Sequence, residues 1–90
     1  MSQQSPLSDL CRALTIIDGV TEEVIDLHEI DPFDLDAFAK QFDVPVQHDP
    51  QMLDRYAVGP DDVAFLTQAL GIELPFDFSR FAYFIEALER

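Results

Sequence analysis

Apolar residues recur at spacings of three and four over much of the chain. The clearest run, Ile30 to Val46 (IDPFDLDAFAKQFDVPV), returns 28 positions later as Val58 to Leu74 (VGPDDVAFLTQALGIEL). Pro32/Pro60 and Asp34/Asp62 are identical between the copies; Ile30/Val58, Leu35/Val63, Phe38/Leu66, Phe42/Leu70, Val44/Ile72 and Val46/Leu74 match in kind. Each copy has an apolar entry, a start holding proline and aspartate, a helical apolar stripe and an extended exit. In the first, Asp31 caps a helix with Pro32 at its first position, and Pro45 stops it by forcing the preceding residue out of the α region. In the second, Gly59 and Pro60 open a helix with Val63, Leu66 and Leu70 inward, and Gly71 supplies a left-handed C-cap.

The same spacing predicts helices elsewhere. Pro6 starts one, and Leu7, Leu10, Cys11, Leu14 and Ile17 follow at helical intervals. Leu7, Leu10, Leu14 and Ile16 also stand 28 positions before Leu35, Phe38, Phe42 and Val44, the trace of a third, degenerate copy. Thr21 caps a helix over Glu22 to His28, whose early glutamates suit the positive end of the dipole. Asp49 and Pro50 start a short helix through Met52, Leu53 and Tyr56. Asp77 or Ser79 caps a last helix that buries Phe81, Phe84, Ile85 and Leu88, with Phe78 against Tyr83 as a staple. Val44–Val46 and Ile72–Leu74 alternate in polarity and are candidates for a minimal two-stranded ribbon. The expectation is therefore all-α: residues 1–5 a flexible N-terminus, and residues 6–90 a single compact bundle of five or six short helices, organised on a 28-residue helical repeat.

Composition fits one such domain. Ninety residues, 48% of them hydrophobic and eight of them Phe, supply a modest single core and are too apolar for a disordered chain. Charge changes the picture more. Eighteen acidic residues against five basic ones give a net charge of −13. Such a surface repels nucleic-acid phosphates and anionic lipid, and attracts a basic partner at a rate that falls with salt. Cys11, the one cysteine, forms no intramolecular bridge and sits among apolar neighbours, as a buried inert thiol would. The N-terminus has no basic segment and no long apolar run, so a cytoplasmic protein without a membrane span is expected.

Candidate chemistry is sparse. Asp31, Asp34 and Asp36 begin like a calcium loop, but the sixth position is not glycine and the twelfth is Phe42. His28 and His48 stand twenty residues apart, without the further ligands a zinc site needs. Ser8, Cys11, Thr67 and Ser79 lack a histidine nearby in sequence, and Gly19, Gly59 and Gly71 are isolated, which leaves no phosphate loop. No cofactor, no metal and no enzymatic activity are expected. The segment Pro60 to Leu74, with its acidic start, Val/Leu stripe and LGIELP exit, resembles the second helix of an acyl carrier protein over about fifteen residues. That family carries its phosphopantetheine on a serine in an Asp-Ser-Leu start, where this chain has Gly59, Pro60 and Asp61.

What remains is a surface. Phe33 lies outside the Leu35, Phe38, Phe42 stripe, and Phe76, Phe78, Phe81, Tyr83 and Phe84 crowd nine positions, more aromatics than one helical face buries. An aromatic patch ringed by acid has the anatomy of a protein-binding surface. The expected function is a small acidic adaptor or regulatory module that docks a basic protein through Phe33, Asp34, Asp36, Asp61, Asp62, Phe76, Asp77, Phe78 and Tyr83. The alternatives are a DNA-mimic or immunity-type inhibitor filling the basic groove of a nucleic-acid-binding protein, and an assembly factor or subunit of a larger complex. The oligomeric state does not follow from the sequence.

Overall fold

A computed structural model describes residues 10–89. The chain runs as strand β1 (Leu10–Asp18), strand β2 (Val24–Ile30), helix α1 (Leu35–Gln41) and strand β3 (Tyr56–Ala57). A 3₁₀ turn (Pro60–Asp62) leads into helix α2 (Val63–Leu70), and strand β4 (Phe81–Glu89) ends the fold. The strands make one antiparallel sheet in the order β2-β1-β4-β3. The two nine-residue strands, β1 and β4, are therefore central and pair along their whole length, from Leu10 opposite Glu89 to Asp18 opposite Phe81.

Successive side chains of a strand point to opposite faces. One face of the sheet carries Leu14 and Ile16 from β1, Tyr83 and Ile85 from β4 and Ile30 from β2. Phe38 of α1 and Leu66 of α2 close over it, with Val44, Met52 and Val58 from the connections, to form the core. Leu14, Phe38, Met52, Leu66 and Ile85 are fully buried, worth roughly 1.5 to 3 kcal/mol each in transfer free energy. Cys11, Ala13, Thr15 and Ile17 project to the other face, with Leu27 and Phe84 flanking Thr15. No described helix packs on that side. Ala13 and Ile17 are buried there, yet they lie outside the core cluster.

The all-α bundle is thus corrected to a four-stranded sheet with two short helices. The segment read as the first helix is β1 within the described residues; the positions of that helix before Leu10, and the flexible terminus 1–5, lie outside them. The second expected helix is β2, the last is β4, and the one expected after Asp49 is a series of turns leading into β3. Two helices hold. The 28-residue recurrence corresponds to α1 and α2, which start at Leu35 and Val63, but its third copy falls on a strand, so the chain is not a helical repeat. The two-stranded ribbon is absent, since Val44–Val46 and Ile72–Leu74 are turn and coil.

The physical cause is burial from both sides. A central strand reads as a continuous apolar run, and leucines three or four apart within it mimic a helical stripe. Thr15, Ile16 and Ile17 in β1, and Val24 and Ile25 in β2, are β-branched residues whose stiff side chains favour the pleated backbone. At α1 the start shifts by one step: Asp34, not Asp31, is the N-cap, accepting from the Ala37 amide at 3.1 Å. Gly71, at φ 73°, ends α2 in the left-handed conformation expected of it. The sheet also removes the helical context that the carrier-protein resemblance implied.

Candidate protein-binding surface

The predicted site residues fall into three groups. Phe33 is half-buried, its ring 4.6 Å from that of Phe38, with exposed Asp34 and Asp36 beside it at the start of α1. Asp61 and Asp62 open α2. Asp61 is exposed, while Asp62 accepts from the Gly59 amide at 2.9 Å and from Gln41 Nε2 at 2.7 Å, tying α2 to α1. Phe76, Phe78 and Tyr83 form the third group, with ring centroids 4.8 to 5.7 Å apart. Tyr83 is buried and its hydroxyl accepts from the Asp77 amide at 2.8 Å, so this cluster plugs the end of the core. Phe78 does meet Tyr83, as a turn against a strand and not as a helix staple. The Asp77 carboxyl is held below its ordinary pKa, first by the Ser79 hydroxyl at 2.6 Å.

The apolar surface that is left open lies elsewhere, on the hairpin between β1 and β2 and on β2 itself. Val20, Val24, Ile25 and Leu27 are exposed within eight positions, Val20 at 91% and Val24 at 59%. The turn is built by Asp18, whose Oδ1 accepts from the amides of Val20 and Thr21 at 2.8 and 2.9 Å. Those two bonds are the reason its carboxyl lies below the usual range. Gly19 sits against β4, where a Cβ would meet the Arg80 carbonyl oxygen at 2.8 Å, so only glycine lets the turn close there. Among the described strands β2 stands at the end of the sheet order, next to β1. Its register with β1 slips between Ile16 and Ile17, leaving Ile25 as the extra residue.

Carboxylates are dense along this part of the sequence. From Ala13 to Ala39 the chain has no Lys or Arg, while Asp18, Glu22, Glu23, Asp26, Glu29, Asp31, Asp34 and Asp36 supply eight of its eighteen acids. Asp26 Oδ1 accepts from the Leu27 amide at 2.8 Å and its Oδ2 lies 3.1 Å from His28 Nε2. A hollow of about 220 Å³ opens beside β2, lined by Ile16, Ile25, Leu74, Pro75, Phe81 and Tyr83 together with Asp26 and His28. That is below the ~300 Å³ at which small-molecule sites begin and fits a single side chain.

Sequence reasoning missed this strip because it read Glu22 to His28 as a helix, where the structure has strand β2. It also missed Asp49, a buried carboxylate that accepts from the amides of Leu53 and Asp54 at 2.8 and 3.0 Å and from the Tyr56 hydroxyl at 2.5 Å. Burial pushes Asp49 up, but the Tyr56 hydroxyl and the two amides outweigh it and leave the carboxyl below its ordinary pKa. Burial first, and then the Asp49 carboxylate, push Tyr56 up to about 12. These bonds fold the loop that delivers β3, so the cluster is structural.

Among the described residues no group of three His, Cys, Asp or Glu is placed to hold a metal ion, and no helix is long and apolar enough to cross a membrane. No curated protein and no solved structure matches the chain. A family model described as Domain of unknown function (DUF7683) matches residues 11–86, a span from β1 into β4 that takes in both helices, and the chain belongs to that family.

Proposed function

We propose that the protein is a small acidic binding module for another protein, one with a basic surface. The observation that carries this reading is the strip of exposed aliphatic side chains at Val20, Val24, Ile25 and Leu27 within a stretch of eight carboxylates and no basic residue. An apolar centre rimmed by charge of one sign is suited to protein docking, where the apolar contact gives affinity and the charge steers encounter and selects the partner. The aromatic residues expected to form the patch contribute less, because Tyr83 is buried and Phe76 and Phe78 are stacked against it. The acidic half of the expectation is retained, with its apolar half moved from the aromatics to β2.

The test uses the whole chain as bait in an extract of its source at low ionic strength, beside a Val24→Lys/Leu27→Lys variant. Both positions are exposed, so the variant keeps the wild-type circular dichroism spectrum. A basic protein held by the wild type, released by added salt and absent from the variant is the expected result. Identical proteins on both baits, or none on either, would remove the proposal.

A further inference from the structure

We propose that the groove between the two helices is a binding site for a small organic monocation carrying one aromatic ring, an arylalkylamine. The site is separate from the strip on β2 and shares none of its aliphatic residues. Its walls follow from the way α1 and α2 meet. At one end the Gln41 side chain donates to Asp62 at 2.7 Å and holds the two helices together. Toward the other end Ala37 of α1 and Ala69 of α2 stand where longer side chains would fill the space, and a cavity of about 320 Å³ lies between them. Phe38 is its buried floor. Phe65 stands on edge against Phe38, with ring centroids 4.8 Å apart and planes at 79°, an arrangement that a further ring can extend. The volume reaches the range of about 300 Å³ and upward at which small-molecule sites begin, and mostly apolar walls with few polar groups are their usual lining.

Charge selects the ligand. Asp34 lines the groove; its Oδ1 accepts from the Ala37 amide at 3.1 Å, and its Oδ2 has no partner among the described residues. Helix α2 brings Gln68 and its C-terminal turn, the negative end of its dipole, to the same place. A carboxylate beside an aromatic floor takes an ammonium group by a charge-assisted hydrogen bond, while the ring face attracts the same cation. The chain makes this kind of contact with its own cations: Arg12 lies 5.2 Å over Phe33, Arg55 3.8 Å over Phe84 and Arg80 5.3 Å over Phe81. At Phe38 and Phe65 the pairing of ring and carboxylate is offered to a cation from outside. Beyond Asp34 the groove continues past Asp36 to Lys40. The Lys40 ammonium repels a second positive charge, so a monoamine is favoured over a diamine. An anion is disfavoured by Asp34, Asp36 and the net charge of −13.

The experiment is an NMR titration of the full chain with 2-phenylethylamine. Three controls accompany it: 2-phenylethanol without the charge, 3-phenylpropanoate with the charge reversed, and N-acetylargininamide, a cation without the ring that stands for a side chain of a partner protein. Expected are saturable shifts centred on Ala37, Phe38, Phe65 and Ala69, with affinity for the amine about tenfold or more above that for each control, the worth of one bond to a charged group. Asp34→Asn keeps the helix cap, because Asn serves there as well as Asp. It should weaken the amine about tenfold and leave the alcohol unchanged. Ala69→Leu, at an exposed helical position that accepts Leu, should keep the wild-type circular dichroism spectrum and abolish binding of amine and alcohol alike. The Val24→Lys/Leu27→Lys variant should bind the amine as the wild type does, so this result is read apart from the docking result. Equal or tighter binding of any control, wild-type affinity in Asp34→Asn, or shifts that do not saturate or that centre on β2 would overturn the inference.

Discussion

The two edges of the sheet are built on opposite lines. On one side, β3 is two residues long and enclosed: the Val58 amide bonds the Tyr83 carbonyl at 2.8 Å just past it, and Asp49 holds Tyr56 and the loop before it. Arg55 lies 3.8 Å over the Phe84 ring, so even the outer corner is covered. On the other side, β2 is seven residues long and exposed at most positions among the described residues, with the Asp26 carboxylate on the Leu27 amide. A short, buttressed strand is how proteins keep an edge from pairing, and a long exposed one needs another explanation. The difference separates a part of the molecule that maintains the fold from the part proposed to meet a partner.

The comparison predicts unequal costs. Asp49→Ala strips three bonds from a buried site and should lower stability by about 3 kcal/mol, read as a drop in the urea midpoint at constant slope. Tyr56→Phe removes one charge-assisted bond and should cost about 1.5 kcal/mol. If either is silent, β3 is not fixed in the way described.

The pH dependence follows from the same pair. Asp49 has its folded-state pKa depressed, so its contribution is present above the unfolded value of about 3.9 and is lost as pH falls through the folded one. Tyr56 is raised to about 12 from an unfolded value of about 10. Its contribution is complete below pH ~10 and is lost as pH rises toward ~12. Denaturant midpoints measured across pH should show an acid limb that flattens in Asp49→Asn and an alkaline limb that disappears in Tyr56→Phe.

The smallest effect belongs to the open edge. Val24→Thr and Leu27→Thr should each change stability by less than about 0.5 kcal/mol, because these side chains are largely solvated already. A loss of 2 kcal/mol or more at either would mean that β2 is packed against something and is not a free surface.

The same contrast explains what the sequence disclosed. Helices α1 and α2 were legible because each has a local start, a one-sided stripe and a stop: Asp31-Pro32, Phe38 and Pro45 in one, with the cap itself three residues later at Asp34, and Pro60, Leu66 and Gly71 in the other. The strands were not, because β1 and β4 are apolar on both faces, and Leu10, Leu14 and Ile17 meet a helical template as readily as a buried strand. Only the partner strand decides between them, and pairing Leu14 with Ile85 spans seventy-one positions that no local window sees. The acidic side of the proposed binding surface was visible in the net charge. Its apolar side was hidden, since Val24, Ile25 and Leu27 look like core until β2 is known to be an edge. The run Thr15-Ile16-Ile17 followed by Val24-Ile25 was the available signal, two β-branched clusters separated by a turn around Gly19.

Cross-saturation NMR on the complex with the captured protein tests the central claim most directly, since it marks the amides nearest the partner. Signal loss concentrated in Val20 to Ile30 is the predicted map. A map confined to the α1 and α2 surfaces, with β2 untouched, would contradict the account.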